Sequence, residues 1–483
     1  MSRENGRPPV HVSLVVGMLS AFAGCAVGPD YVVPEPAVPA VWTSYDEPQI
    51  GEARLDALAD WWKLFDDVVL NDLIERAIAA NPDRDLAIAR VREARARFGV
   101  IRAERYPAVS AEGRLSTVET VDFSGESEWR DVYDAGIDAS WELDVFGGTK
   151  RSIEAAEAVI EARQADYADV MTSLVAEVAF AYVDMRTLEE RLRLTRASVD
   201  AQERTFDLTR WRTEAGLTTA LDVEQSRANL ESTRAQIPAL ERDLVQTRNK
   251  LAFLSGEAPG GYEERGVAPI AIPIASTNLA IGVPADMLRR RNDIRSAERD
   301  LAAQSARVGL ATASLYPSFR LTGSLGSNSA DFSGLFDGSA VTTNLVRSVS
   351  APIFNAGQLR ANVAMEYALY EQSLAVYEKT VLNALREVED SIVAQFAATS
   401  RARLLQDAVD AAVKASELAT QDYEAGLSGF DNVLDAQRTL LSLQEQLALN
   451  RSAETAAMIS LYKAAGGGWL AADRSYDQQA ENL

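Results

Sequence analysis

The sequence predicts a mainly α-helical protein made of two tandem repeats, each with two β-strands and one very long helical hairpin. Three observations predict this fold class. Apolar and polar residues alternate strictly over residues 133–146, as on a strand with one dry and one wet face. No Pro or Gly occurs from Thr149 to Ala215, which predicts roughly 100 Å of continuous helix. Both patterns recur later in the chain at a nearly constant offset.

The alternating stretch is longer than the usual globular strand of about 5–6 residues. A membrane-spanning strand needs roughly 9–11 residues, and a long strand of a soluble sheet is the alternative. The wet face carries four carboxylates, Asp134, Asp138, Glu142 and Asp144. They are candidates for acidic rings that line an aqueous lumen and favour cations, although a merely solvated strand face would show the same pattern.

The first repeat is predicted over residues 60–255, with a polar loop at about 117–130 between its strands. A heptad of apolar residues along its first long helix indicates a coiled-coil seam, and Pro238 should kink or locally break the returning helix. The elements expected in this repeat are strands at about 108–118 and 132–146 and long helices at about 149–215 and 221–254.

The second repeat is predicted over residues 285–469, after a Pro- and Gly-rich connector at 256–284. It opens with a helix from Leu288 to about Leu315, and a polar tail at 470–483 follows the repeat. Its other expected elements are strands at about 318–326 and 343–353 and long helices at about 357–425 and 431–465.

The N-terminus has the pattern of an export signal. Residues 1–24 combine two arginines with a short apolar core and end in F-A-G before Cys25. This resembles a bacterial lipobox, which implies that Cys25 is lipidated after cleavage. Several acyl chains on one cysteine give stable membrane anchoring. The Pro-rich segment 25–59 should then run extended, with a disordered linker as the alternative.

Composition excludes several functions. The formal net charge of −23 disfavours a nucleic-acid partner, which needs a basic face. Cys25 is the only cysteine, and His11, the only histidine, is lost with the signal. Nucleophile–histidine catalysis and His/Cys zinc sites are therefore excluded from the mature chain. We expect no cofactor, no metal site and no enzyme activity; a carboxylate-based glycoside hydrolase is the enzyme alternative.

The four predicted strands cannot close a membrane barrel by themselves. Spanning barrels have at least eight strands, and an open edge is not tolerated in lipid. A barrel must therefore be shared between copies, and the strand count permits two, three or four of them. A soluble coiled-coil scaffold with small β-caps is the alternative.

Several short motifs resemble those of the TolC-type outer-membrane factors, in the NodT-type lipoprotein branch found with tripartite pumps of the RND class. Their order and duplication are more specific than any one of them. The motifs are V-G-P-D-Y after Cys25, Tyr-Pro at 106–107 and 316–317, F-G-G at 146–148, P-I-F-N-A-G at 352–357, E-A-G-L at 214–217 and 424–427, L-D-A-Q-R at 434–438 and L-Y-K-A-A-G-G-G-W at 461–469.

The resemblance implies a homotrimer with a 12-stranded β-barrel in the outer membrane and an α-helical barrel in the periplasm of a Gram-negative bacterium. Such a channel is a passive, gated exit duct, anchored by acyl chains on Cys25, palmitate among them. It would serve a periplasmic adaptor and an inner-membrane transporter. The alternatives are the duct of a type I protein secretion system and a structural coiled-coil lipoprotein without a pore.

The two helix turns, at 214–222 and 424–435, are then expected to form the closed periplasmic tip. Ser428 stands where relatives often carry an Asp, so the nearby acids Asp431 and Asp435 are the gate candidates; helix N-capping is the structural alternative for Asp431. Candidates for adaptor contact are Gly216, Leu217, Thr218, Gly426, Leu427 and Ser428.

Overall fold

The computed structural model describes residues 26–36, 38, 39, 42, 59–121, 125, 127–262, 271–274, 288–337 and 341–467. The predicted signal 1–24, the lipidation candidate Cys25 and the tail 470–483 lie outside the described residues. The chain divides into two compact units. One contains residues 90–164 and 296–378 with the N-terminal segment up to Glu35, and the other contains the remainder.

Four strands in the first unit form one antiparallel sheet in the order β1-β2-β3-β4. The strands are β1 (Ala108–Val121), β2 (Ser127–Leu143), β3 (Ser318–Ser329) and β4 (Val341–Ser350). A short 3-10 helix at Phe332–Phe336 lies between β3 and β4. Within one chain β1 and β4 are therefore edge strands, each with one row of backbone groups that no strand of the same sheet pairs.

Eight α-helices account for most of the described residues. They are α1 (Val68–Ala80), α2 (Pro82–Ala103), α3 (Gly148–Glu214), α4 (Ala220–Arg234), α5 (Ile237–Leu254), α6 (Asn292–Ala313), α7 (Gln358–Glu424) and α8 (Phe430–Ala464). Both α3 and α7 are 67 residues long. The predicted duplication is confirmed, because α6 and α7 repeat α2 and α3, and α8 repeats α4 and α5 together, at a constant offset in residue number.

The predicted heptad seams are confirmed as the buried stripes of the long helices. In α3, Leu188 is half-buried, and the other seam positions are buried, among them Met171, Val178 and Met185. Small and medium side chains on these stripes let helices approach closely, while charged residues occupy the remaining surface. None of the helices in the described part of the chain is both long and apolar enough to cross a bilayer.

Pro238 breaks the returning helix, as predicted. The helix stops at Arg234, turns through Ala235 and Gln236, and restarts at Ile237. Proline has no N–H to donate to the preceding turn, and its ring clashes with the carbonyl four residues earlier.

The prediction of a loop at 117–130 is wrong. β1 continues to Val121 and β2 begins at Ser127, with Thr117 opposite Asp131 and Val121 opposite Ser127. β-Branched residues favour an extended backbone here. The alternation of apolar residues stops in this region, so the sequence pattern alone did not indicate a strand.

Other predicted boundaries also differ from the structure, and β3 ends at Ser329 rather than at about 326. β2 ends at Leu143 rather than at 146, and β4 ends at Ser350 because Pro352 cannot donate to a ladder. The helix expected from Leu288 begins at Asn292.

A buried polar group fixes α1 in the second unit. The Asp67 side chain caps α1 by accepting the amides of Val69 and Leu70, at 2.9 and 3.1 Å. It also accepts the Tyr182 hydroxyl of α3 at 2.6 Å. Asp67 is 1% exposed, and these three hydrogen bonds offset the cost of burying its carboxylate.

Candidate functional site: the sheet faces and the helix turns

Side chains of the sheet divide between two faces according to odd or even residue number, because all three ladders pair residues of equal parity. The odd face carries most of the large apolar side chains, Val109, Leu115, Trp129, Tyr133, Ile137, Trp141, Leu321, Leu325, Leu345 and Val349. The even face carries mainly charged and polar side chains, Glu112, Arg114, Asp134, Asp138, Glu142, Arg320, Ser324, Asn328 and Asn344. The two-faced pattern predicted for β2 therefore extends over all four strands.

Two of the predicted lumen acids have polar or cationic neighbours on the even face. Asp134 accepts a hydrogen bond from the Asn328 amide and lies opposite Arg114. Glu142 forms an ion pair with Arg320 at 3.1 Å. Both groups of this pair are exposed, so the pair adds about 0–1 kcal/mol of stability. The pair matters more for the charge of the even face, because Arg320 cancels the negative charge of Glu142 at that height along the strands.

Asp138 and Asp144 differ in position. Asp138 lies on β2 opposite the hydroxyls of Ser110 and Ser324, so its neighbours across the ladders bring no positive charge. Asp144 was predicted on the same wet face, but β2 ends one residue before it. Its Oδ2 instead accepts the Lys150 amide at 2.7 Å at the start of α3. Asp144 is therefore corrected from a strand-face residue to a helix-capping residue, where a carboxylate satisfies a free N–H.

Both long hairpins end in turns of the same geometry. Gly216 and Gly426 have left-handed backbones with φ of 75° and 74°. The amides of Leu217 and Leu427 each donate to the carbonyl five residues earlier, at 2.8 Å. This is the Schellman arrangement. Its left-handed position favours glycine, because glycine adopts a positive φ without steric strain. It leaves Leu217 67% and Leu427 79% exposed at the two apices.

The two turns differ in how the next helix starts. Thr219 and Asp222 form a reciprocal capping box at α4. A hydrogen bond from the Thr218 hydroxyl is the main cause that lowers the pKa of Asp222. At α8 the N-cap is Gly429, without a side-chain cap, and among the described residues the Ser428 hydroxyl is buried without a hydrogen-bond partner. The start of α8 is therefore less firmly capped than the start of α4.

The gate candidates lie just beyond this second turn. Asp431 and Asp435 are exposed residues in the first two turns of α8, four positions apart and hence on one side of the helix. Gly429 holds the N-cap position, so Asp431 does not cap α8. Its charge lies in the first helical turn, where the helix dipole favours a carboxylate.

Side chains connect the two hairpins near the turns. Arg212 donates to the carbonyls of Tyr423 and Glu424 at 2.7 and 3.2 Å, and its guanidinium lies 4.7 Å from the Tyr423 ring centre. Gln437 donates to the Thr205 hydroxyl at 2.9 Å. Arg212 thereby satisfies carbonyls at the end of α7, which belongs to the other repeat.

These connections are only partly recorded in the sequence. A cation in the last turn of a helix is a recognised C-terminal signal, so Arg212 could have been noticed, although its acceptors belong to α7. Arg438 donates to Asn229 at 2.8 Å. No sequence pattern indicates that pair, because it depends on how two helices from different repeats pack.

In the first unit, residues 26–31 lie against the start of α3 and against α6. The Arg151 side chain, 5% exposed, donates to Asp30 at 2.8 Å and to the carbonyls of Val27 and Gly28 at 3.3 and 3.4 Å. The Arg151 guanidinium holds the pKa of Asp30 below its usual value, mainly through this hydrogen bond. The V-G-P-D-Y motif is therefore recognised by a buried arginine.

Metal binding has no support in the described part of the chain, where no group of three or more His, Cys, Asp and Glu side chains could hold an ion.

The sheet has one apolar face, one polar face and two edge strands, and it is followed by helical hairpins of about 100 Å. These features define a class of protein, the subunit that completes a membrane channel together with other copies. Comparisons identify the class further. The model of the outer membrane efflux protein family matches residues 73–257 and again 283–467.

Similar proteins agree with this family match. The toluene efflux pump outer membrane protein TtgC and the antibiotic efflux pump outer membrane protein ArpC, both of Pseudomonas putida, are each 33% identical over 479 residues. These alignments cover 97% of this chain and 98% of each relative. The structure of the outer-membrane channel OprN superposes with a TM-score of 0.85 at 32% identity, covering 92% of this chain and 100% of OprN.

The chain belongs to the outer membrane efflux protein family. It is the outer-membrane channel component of a tripartite efflux system, with two tandem repeats that contribute four strands to a 12-stranded trimeric barrel and two helical hairpins to a periplasmic α-barrel. Family and neighbours are channel proteins rather than enzymes.

Proposed function

We propose that the chain is a passive exit duct for small organic molecules, closed at the helix turns until its partners engage. The observation that carries this proposal is the combination of a two-faced sheet with duplicated, cross-connected turns on the same chain. The proposed cargo class is supported by the names of relatives that serve toluene and antibiotic pumps.

The even face of the sheet would line the aqueous lumen. In a trimer, Asp134, Asp138 and Glu142 would each recur three times around the wall. Arg320 compensates Glu142, so the level of Asp138 would carry the least compensated negative charge. Like charges around a narrow ring favour cations over anions, and we therefore propose a moderately cation-selective pore.

Asp431 and Asp435 would close the periplasmic end. Their exposure on one side of α8, at a helix start without a side-chain cap, supports this assignment. Replacing both with Ala should raise single-channel conductance in planar bilayers, because the variant removes six charges from the constriction of a trimer. Asp207→Ala with Asp243→Ala removes the same number of exposed carboxylates elsewhere. Conductance equal to wild type in the Asp431/Asp435 variant would reject the gate assignment.

The apices of the turns would contact the periplasmic adaptor of an RND-type pump. The two leucines there are among the most exposed apolar residues of the chain, and six residues would form the contact: Gly216, Leu217, Thr218, Gly426, Leu427 and Ser428. A photo-crosslinker at position 217 or 427 should capture the adaptor in cells. Capture that is equally strong from exposed Val245 would reject a specific contact.

Cys25 would carry the lipid anchor, although it lies outside the described residues. Support comes from the lipobox-like sequence and from the docked segment that follows it, beginning at Ala26. Mass spectrometry of the mature N-terminal peptide should show a diacylglyceryl group and an N-acyl chain. An unmodified thiol on a processed chain would reject the anchor.

A further inference from the structure

The connector between β3 and β4 has an unusual surface for a strand connection. Its 3-10 helix, Phe332–Phe336, exposes two phenylalanines, Phe332 at 64% and Phe336 at 81%. The rings pack against each other at right angles with centroids 5.9 Å apart. Loops between strands normally expose polar side chains. Two large apolar rings exposed side by side therefore indicate a surface that contacts a partner.

The position of the rings fixes which side of the sheet they occupy. The Phe332 ring packs edge-on against Tyr133, with centroids 6.0 Å apart. Tyr133 is an odd residue of β2, so it belongs to the apolar face. The 3-10 helix therefore folds back over the apolar face rather than over the polar face.

Aromatic residues also mark the two ends of this apolar face. Trp129 and Tyr133 lie near the end next to the 3-10 helix, and Trp141 lies near the other end, where its indole donates to the Arg105 carbonyl at 3.0 Å. The eight residue steps from Tyr133 to Trp141 span about 27 Å along a strand, or about 20 Å across a bilayer at the usual tilt of roughly 40°. An outward apolar band of about 25 Å between aromatic girdles is the pattern of outer-membrane barrels.

We propose that the Phe332–Phe336 turn is a membrane anchor that inserts its two rings among the acyl chains of the outer leaflet. This inference rests on the proposed orientation of the sheet, with its even face to the lumen. Rings at the interface would extend the girdle formed by Trp129 and Tyr133, where aromatic side chains are favourable. The β3–β4 connector would then lean away from the pore mouth and leave it open on that side.

Site-directed spin labelling tests the anchor. Cys25 is the only cysteine of the chain and its thiol would be acylated, so single labels can be placed through Phe332→Cys and Phe336→Cys, with the unsubstituted protein as the labelling control. The full-length oligomer is reconstituted into vesicles of phosphatidylethanolamine and phosphatidylglycerol. Power saturation then compares collisions with lipid-soluble oxygen and with a water-soluble nickel chelate.

Labels at positions 332 and 336 should collide more with oxygen than with nickel, and nickel-dominated collisions at either position would overturn the anchor. Labels on adjacent residues of β4 separate this outcome from the orientation of the sheet. Leu345→Cys, on the odd face, should be oxygen-dominated, and Asn344→Cys, on the even face, nickel-dominated. Oxygen-dominated collisions at position 345 together with nickel-dominated collisions at position 336 would reject the anchor alone. Nickel-dominated collisions at position 345 would reject the orientation of the sheet as well.

Discussion

Arg212 shows how a single side chain can fix the position of a helix turn. Its guanidinium donates to two carbonyls at the end of α7 and lies over the Tyr423 ring. Tyr423 itself is buried against Phe430 and Val433 at the start of α8. One charged group thus connects the first hairpin with both helices of the second, and a hydrogen bond from a charged donor contributes about 1.5–3 kcal/mol.

We predict that Arg212→Ala raises single-channel conductance, because the second hairpin loses its charged connection to the first at the turns. Arg210→Ala is the matched control. Arg210 lies two residues earlier on α3 and makes only exposed ion pairs with Asp207 and Glu214, at 3.5 and 3.9 Å. Planar-bilayer recordings of both variants check the prediction. Equal conductance in the two variants would show that Arg212 has no part in closure.

Asp169 gives the second unit a dependence on pH. Burial, followed by the charge of Asp293, raises the pKa of the Asp169 carboxyl from 3.8 to about 6. A folded-state pKa above the unfolded value means that the folded form binds the proton more tightly. Stability therefore increases as pH falls from above 6 towards 4 and decreases as pH rises through this window.

Asp169→Asn should raise the thermal dissociation temperature of the oligomer near neutral pH, since the amide carries no charge to desolvate. The expected gain is on the order of 2 kcal/mol near neutral pH and vanishes near pH 4. Asp200→Asn, at an exposed position of the same helix, is the control. The prediction fails if the Asp169→Asn and Asp200→Asn variants show the same pH profile.

The helices and strands show where sequence patterns are sufficient. Heptads, Pro238 and the glycines at 216 and 426 act through local geometry, so the long helices and their turns follow from sequence. β1 and β2 extend beyond their apolar alternation, as at Thr117 opposite Asp131. Pairing with a neighbouring strand stabilises those polar extensions, and no local pattern records the neighbour.

The candidate sites were predictable to different degrees. Parity placed Asp134, Asp138 and Glu142 together on one face, but the ion pair of Glu142 with Arg320 depends on the register between repeats. Asp144 continued the alternation in sequence, although the chain had already turned to begin α3. Side-chain contacts across repeats are set by packing, so sequence patterns do not contain them.

One pair of repeat-related glycines tests how the N-terminal segment docks. Gly309 of α6 corresponds to Gly99 of α2. A Cβ at Gly309 would come within 2.9 Å of the Arg151 side chain, whereas nothing lies within 4 Å of a Cβ at Gly99. Gly28 approaches Gly309 so closely that a Cβ on Gly28 would lie 2.5 Å from the Cα of Gly309.

Gly309→Ala should therefore displace Arg151 and release residues 26–31, which limited proteolysis would detect as faster cleavage in this segment. Gly99→Ala is expected to leave cleavage unchanged and to stabilise α2 by about 1 kcal/mol, because alanine is the better helix former. Unchanged protection of the segment in Gly309→Ala would contradict the docking described here.

At the scale of the whole molecule, the edge strands explain why one chain is not a channel. β1 and β4 each leave one row of backbone groups without a partner in the sheet, and lipid does not tolerate such edges. Pairing β1 of one copy with β4 of the next satisfies both rows and closes the 12-stranded wall of the trimer. In the proposed orientation of the sheet, the same closure would gather the even faces around one lumen and present the odd faces to lipid.

The central claim, that the even face of the sheet lines a water-filled pore, can be tested at two adjacent residues of β2. Single-channel current is recorded for Asp138→Cys and Ile137→Cys, with the unsubstituted channel as the control, before and after a bulky water-soluble thiol reagent is added. The account predicts that current through the Asp138→Cys channel falls on modification, while current through the Ile137→Cys channel does not change. A block at position 137, or an unchanged current at position 138 despite complete labelling, would contradict it.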